Sequence, residues 1–180
     1  LTPVEGGCTI DCEGSDLDPH RGFHFHSGET RASRVSGVTV TGGYAYDALI
    51  ERNGGGGVRV DGASPTIEYC IVSSCAASGP AMIGGGVSIV DGAYPFINGC
   101  SIIFCYGEGY GGGIGIFSAD AIISSCTVAG NESGSAAGGL YVQNAFDSTV
   151  TQCWFYQNIA PAGGGVRIGA SDLIVEDCLI

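Results

Sequence analysis

A chain of 180 residues carrying 33 glycines, 13% charged residues and a formal charge of −12 can bury one substantial core, but its composition is unlike that of an ordinary mixed globule. All six basic residues are arginines, which argues against nucleic acid and anionic membranes as partners, because both need clustered positive charge. No apolar run reaches the roughly 18 residues of a membrane span, so no direct membrane insertion is expected.

Residues 1–22 read as an irregular lead-in or first coil, and 23–180 as the regular coils of a single β-helix segment. The lead-in holds Asp11, Glu13, Asp16 and Asp18, weak calcium candidates because a hard ion favours several carboxylate oxygens. Their spacing does not follow an EF-hand, and a solvated acidic loop is the plainer reading. Cys8 and Cys12 fall outside the regular coils and are close enough in sequence to pair locally. Next, Phe23-His24-Phe25-His26 alternates, which sets His24 and His26 on one outward face with His20 nearby. A solvent-facing pair is expected there, with a shared metal as the alternative. Val35 and Val38 open a spacing that recurs to the end of the chain, and Cys12 stands one repeat before Val38. The long step from Val38 to Cys70 predicts an insertion near 44–53, and a smaller loop at Ala76–Met82 accounts for the slightly long step from Val58 to Val87.

From there two anchors interlock. A glycine cluster precedes an aliphatic residue at Val58, Val87, Ile114, Leu140 and Val166, at nearly even intervals. An aliphatic-x-x-Cys motif occurs at Ile67/Cys70, Ile97/Cys100, Ile123/Cys126, Val150/Cys153 and Val175/Cys178, each a short and almost constant distance after its glycine anchor. Short alternating segments such as Val58-Arg59-Val60 and Cys126-Thr127-Val128 carry a period of two, which is the signature of strands. Glycine at this density excludes a helical repeat. The fold predicted is all-β: a right-handed parallel β-helix of six to seven coils, about 26 residues each, with three short strands per coil. Strands of successive coils then pair at about 4.8 Å, and same-phase residues stack. Glycine's tolerance of positive φ explains the clusters as entries into each first strand. They are not phosphate loops, since no Lys-Ser/Thr follows.

Stacking defines what the polar and sulfur residues can do. Cys70, Cys100, Cys126, Cys153 and Cys178 share one phase and predict an inward structural ladder, with Cys75 and Cys105 in a second, shorter one. Buried thiols are the first expectation. Disulfide pairing in an oxidising compartment is the alternative, because stacked positions satisfy the Cα separation that a bridge accepts. Zinc is not expected at a spacing so unlike Cys-x₂-Cys. Asn131 and Asn158 belong to the same structural framework, where they bond neighbouring backbone at a turn. No catalytic residue is assigned. Outward positions after the glycine clusters (His24, Arg59, Ser88, Gly115, Tyr141 and Arg167) converge on nothing, and no carboxylate pair of a glycosidase is visible. The binding candidates are Trp154 and Tyr156, which flank an inward Phe155 and face solvent together. Exposed aromatics stack on sugars and anchor interfaces.

The Gly-Gly-aliphatic motif recurs five times, and Phe155-Tyr156-Gln157-Asn158 is a literal Phe-x-x-Asn, with Val128-Ala129-Gly130-Asn131 close to it. Thr9-Ile10-Asp11-Cys12 and the segment Arg21 to Gly28 make a comparable lead-in. On these residues the chain resembles right-handed parallel β-helix proteins of the pectate-lyase-like superfamily, most closely bacterial extracellular proteins related to chlamydial polymorphic outer-membrane proteins. Cys75 and Cys105 depart from that pattern by standing where Asn is expected. The superfamily hosts lyases, hydrolases, adhesins and passive stalks, and strong periodicity with no convergent polar site favours a non-enzymatic extracellular or cell-surface module, whether stalk, adhesin-type or glycan-contacting surface. Its partners would be polysaccharide, a surface partner or another copy through the coil ends. Part of a polysaccharide lyase or glycoside hydrolase is the alternative. No cofactor is expected beyond the weak calcium candidates. The start at Leu1-Thr2-Pro3 and the end at Ile180 suggest a segment of a longer protein.

Overall fold

A computed structural model describes residues 7–46, 54–79 and 81–180. It is a parallel β-solenoid of about six coils, about 27 residues per turn, with no helix among the described residues. The strands after the glycine clusters form the first face, in the order Phe23–Phe25, Val58–Asp61, Val87–Val90, Ile114–Phe117, Leu140–Gln143 and Val166–Gly169. The second face runs from Arg34–Ser36 through Thr66–Glu68, Phe96–Asn98, Ile122–Ser124 and Ser148–Thr151 to Leu173–Glu176. The third runs from Cys8–Asp11 through Val38–Thr41, Ile71–Ser73, Ser101–Ile103 and Thr127–Ala129 to Trp154–Tyr156.

Every pairing is parallel and in register with the repeat. Val58, Val87, Ile114, Leu140 and Val166 align across five coils. Ile67, Ile97, Ile123, Val150 and Val175 do the same on the second face. All of these side chains except Val175, which is exposed on the last strand, meet in one continuous core with Val40, Val72, Ile102, Val128 and Phe155 of the third face. Burying each such side chain contributes roughly 1.5–3 kcal/mol. Most backbone hydrogen bonds run between coils, with a few within a coil at turns, such as Met82 to Gly79 and Ala93 to Val90.

Three features differ from the sequence expectation. A fourth, four-stranded sheet joins Tyr44–Tyr46, Ala76–Ser78, Tyr106–Gly107 and Glu132–Ser133. Its strands are only two or three residues long, too short to show alternation. Tyr44–Tyr46 and Ala76–Ser78 are therefore regular structure rather than insertion. The remainder of the 44–53 insertion, 47–53, lies outside the described residues. In the second expected loop, Met82 is buried against Ala45 and Ala77. Finally, Cys8, not Cys12, pairs with Val38, so Cys8 belongs to the regular third face. Cys12 packs at the edge of the core just past that strand, its amide donating to the Thr41 carbonyl.

The glycine clusters work by two mechanisms. The first glycine of each has positive φ, at Gly55, Gly84, Gly111 and Gly163, and Ala137 takes that conformation in the fourth cluster. The second has no room for a side chain. A Cβ on Gly112 would lie 2.2 Å from the Glu132 carbonyl oxygen, and one on Gly85 2.2 Å from that of Tyr106. Here the chain runs backbone against backbone beside the fourth sheet. Gly112→Ala is therefore expected to cost on the order of 3 kcal/mol or to prevent folding, as for other backbone clashes. Gly169→Ala, with nothing within 4 Å, should stay within about 0.5 kcal/mol of the parent. Thermal denaturation of the pair is the measurement, and equal melting temperatures would refute the packing role.

Candidate functional site

The third face carries the two aromatic residues singled out from sequence, Trp154 and Tyr156. Strand alternation turns Phe155 into the core at 2% exposure, while Trp154 and Tyr156 stand outward at 60% and 47%. One coil back they pair with Thr127 and Ala129. Phe104, 66% exposed, belongs to the same surface and was not singled out from sequence. It occupies the one-residue turn after Ser101–Ile103 with φ 55°, in a place held by Gly42 and Gly130 in other coils. A Cβ on Gly130 would sit 2.7 Å from the Phe104 ring, so that ring packs against Gly130. An aromatic residue in a glycine slot was the signal available. Tyr106, two residues on, adds a further partly exposed ring.

Beyond Asp11 on its first strand, this surface carries no charge. From Val38–Thr41 to Trp154–Tyr156 the outward residues are Thr39, Thr41, Ile71, Ser73, Ser101, Ile103, Thr127, Ala129, Trp154 and Tyr156. In a chain with 18 acidic residues, an uncharged strip of this length ending in aromatics sets the face apart.

The first face offers no comparable surface. Arg59, Ser88, Gly115 and Tyr141, the outward residues of its four central strands, are buried, while His24 and Arg167 on its two end strands are exposed. Ile83 and Gly84 lie directly on Gly115, where a Cβ would come within 2.4 Å of the Ile83 side chain. Ile83, Ala137 and Tyr141 form a small outer cluster with Tyr110 and Phe117. Ser88 Oγ is buried there without a hydrogen-bond partner. Three arginines are engaged within the molecule. Arg59 pairs with Asp61 at 3.0 Å, Arg34 with Glu68, and Arg31 lies over the rings of Tyr94 and Phe96.

The remaining candidates are spread out. In the lead-in, Asp11 Oδ1 accepts the Glu13 amide, and Asp18 contacts His20 at 3.2 Å. Asp16 is exposed. Among the described residues no group of three or more His, Cys, Asp or Glu is arranged to hold a metal ion. His24 and His26 are exposed on one side, with ring centroids 4.6 Å apart. Partial burial, then the positive charges of Arg21 and Arg59, hold the His24 imidazole below its ordinary value. Asn131 is fully buried; it accepts the Cys105 amide, donates to the Ile102 carbonyl and bonds Asn158. Asn158 in turn donates to the Val128 carbonyl. Both asparagines thus close backbone groups of the turn before the fourth sheet. All nine cysteines are free thiols; six are buried in the main core alongside Cys12, with Cys178 partly exposed and Cys8 exposed.

Because the folded state holds His24 with a lowered pKa, the unfolded chain binds the proton first as pH falls below about 6.5. Stability should therefore decline on acidification through that point, and His24→Gln should flatten the decline. Urea midpoints at pH 7.5 and 5.5 test it; an unchanged slope in the variant would refute the assignment.

Comparison with known proteins agrees with this architecture. The family model described as "Right handed beta helix region" matches residues 28–180. No curated protein and no solved structure matches the chain.

Proposed function

Starting from a chain that belongs to the right-handed β-helix family, we propose a non-enzymatic extracellular or cell-surface module that contacts a neutral polysaccharide through its third face. The observation that carries this is the uncharged strip ending in the exposed rings of Trp154 and Tyr156. Sugar rings present C–H faces that pack on aromatic planes, and their hydroxyls bond to Ser and Thr. A strongly acidic protein repels uronate polymers at long range, so an uncharged strip within it favours a neutral chain. Phe104 extends the platform over Gly130, which suits a ligand lying along the solenoid axis across successive coils.

Two further points support a surface location. The Gly-Gly-aliphatic repeats and Phe155…Asn158 resemble the motifs of chlamydial polymorphic outer-membrane proteins, and a low-charge, glycine-rich solenoid makes a long rigid spacer. The lyase or hydrolase alternative has less to support it, because the outward groups at the centre of the first face are covered and Arg59 is paired with Asp61.

Binding to soluble neutral glucans, xylans and mannans should be measured by calorimetry beside polygalacturonate. A neutral polymer is expected to bind, with Trp154→Ala weakening it at least tenfold, as the loss of one stacking ring implies. Phe104→Gly, which suits the positive φ of that turn, should weaken it by less. New reducing ends or unsaturated products would overturn the non-enzymatic reading. Equal binding by Trp154→Ala would remove the proposed face.

A further inference from the structure

Five thiols play no part in the surface just described. The backbone amide of Cys70 donates to the sulfur of Cys100 at 3.5 Å, and that of Cys100 to Cys126 at 3.4 Å. Cys126 donates likewise to Cys153, and Cys153 to Cys178, each at 3.4 Å. Each of these sulfurs therefore neighbours its counterpart in the next coil, in an interior lined by aliphatic side chains. The thiols of Cys70, Cys100, Cys126 and Cys153 donate to backbone carbonyls two residues back, those of Glu68, Asn98, Ser124 and Thr151.

We propose that this run of thiols binds soft monovalent d¹⁰ ions, Cu⁺ or Ag⁺, each held linearly between the sulfurs of adjacent coils. Coil spacing is the first argument. Stacked positions lie about 4.8 Å apart, and two metal–sulfur bonds of about 2.3 Å end to end span nearly the same distance. A disulfide accepts the same backbone separation but needs its two sulfurs turned to within about 2.05 Å of each other, whereas here the sulfurs of Cys100, Cys126, Cys153 and Cys178 each accept a backbone amide of the preceding coil. Coordination number is the second. No three donors converge among the described residues, which excludes the tetrahedral zinc site and leaves two-coordinate ions. The third is charge. Two S–H bonds break, two S–metal bonds form, two protons leave to solvent, and no oxidation state changes. The resulting bis-thiolate carries one negative charge in an apolar interior, and the amides of Cys70, Cys100, Cys126 and Cys153 already point at sulfur to stabilise it.

Adjacency, not thiol number, is what the proposal requires, and that can be isolated. In a parent carrying Cys8→Ser and Cys105→Ala, the Cys100→Ala/Cys153→Ala variant leaves Cys70, Cys126 and Cys178 two coils apart. The Cys70→Ala/Cys178→Ala variant keeps the same number of thiols but leaves Cys100, Cys126 and Cys153 adjacent. Titration with Ag⁺ against a competing chelator, under argon, should show at least hundredfold weaker binding in the first than in the second. It should also show two protons released per ion bound. Equal binding by the two variants would overturn the proposal. X-ray absorption at the silver edge of the parent protein, which needs no substitution among the five, should report two sulfur neighbours. Three sulfurs, or oxygen neighbours, would equally overturn it.

Discussion

Everything in this molecule depends on parallel pairing between equivalent segments one coil apart. A strand of three or four residues cannot satisfy or stabilise itself, so each is held by its counterparts above and below. One consequence is recurrence of chemistry along the tube. Whatever residue occupies a phase returns at a fixed spacing, so the aliphatic, cysteine and asparagine repeats are products of the same constraint. Register cannot slip on one face alone, because a one-residue shift would turn the inward aliphatics outward.

Glycine is the second requirement of that stacking. Where the chain leaves the fourth sheet for the first face, it runs so close to the neighbouring backbone that the second glycine of each cluster admits no Cβ. The composition that looks like low complexity is thus the imprint of a close approach repeated coil after coil. Ala137 standing in for the first glycine shows that positive φ alone is tolerated by a small side chain, whereas the steric position is not relaxed.

Function is constrained by what stacking leaves outside. The central strands of the first face are closed by a second layer that includes Ile83, Tyr110 and Tyr141, and Arg59 there is paired with Asp61. The second face ties Arg34 to Glu68 and sets Arg31 over aromatic rings. Among the described residues, the third face from Val38 onward combines outward uncharged residues with the exposed rings of Trp154 and Tyr156, and Phe104 reaches its edge against Gly130.

The amino-acid sequence by itself determined the fold class, the coil length, the inward aliphatic positions and the outward setting of Trp154 and Tyr156. All of these follow from alternation along a strand and recurrence once per coil, written in side-chain polarity and read without contacts. Tertiary structure alone decided the fourth sheet, whose strands are too short to alternate, and the place of Cys8 rather than Cys12 in the third face, where a single weak coil carries no glycine anchor. It also decided which outward residues meet solvent. Arg59 and Ser88 alternate outward like Trp154, yet lie covered, because exposure depends on what another segment lays over a strand, and polarity along the strand does not record that. Phe104 joined the aromatic face for the same reason: its neighbour Gly130 is a full repeat away in the chain and only one coil away in space.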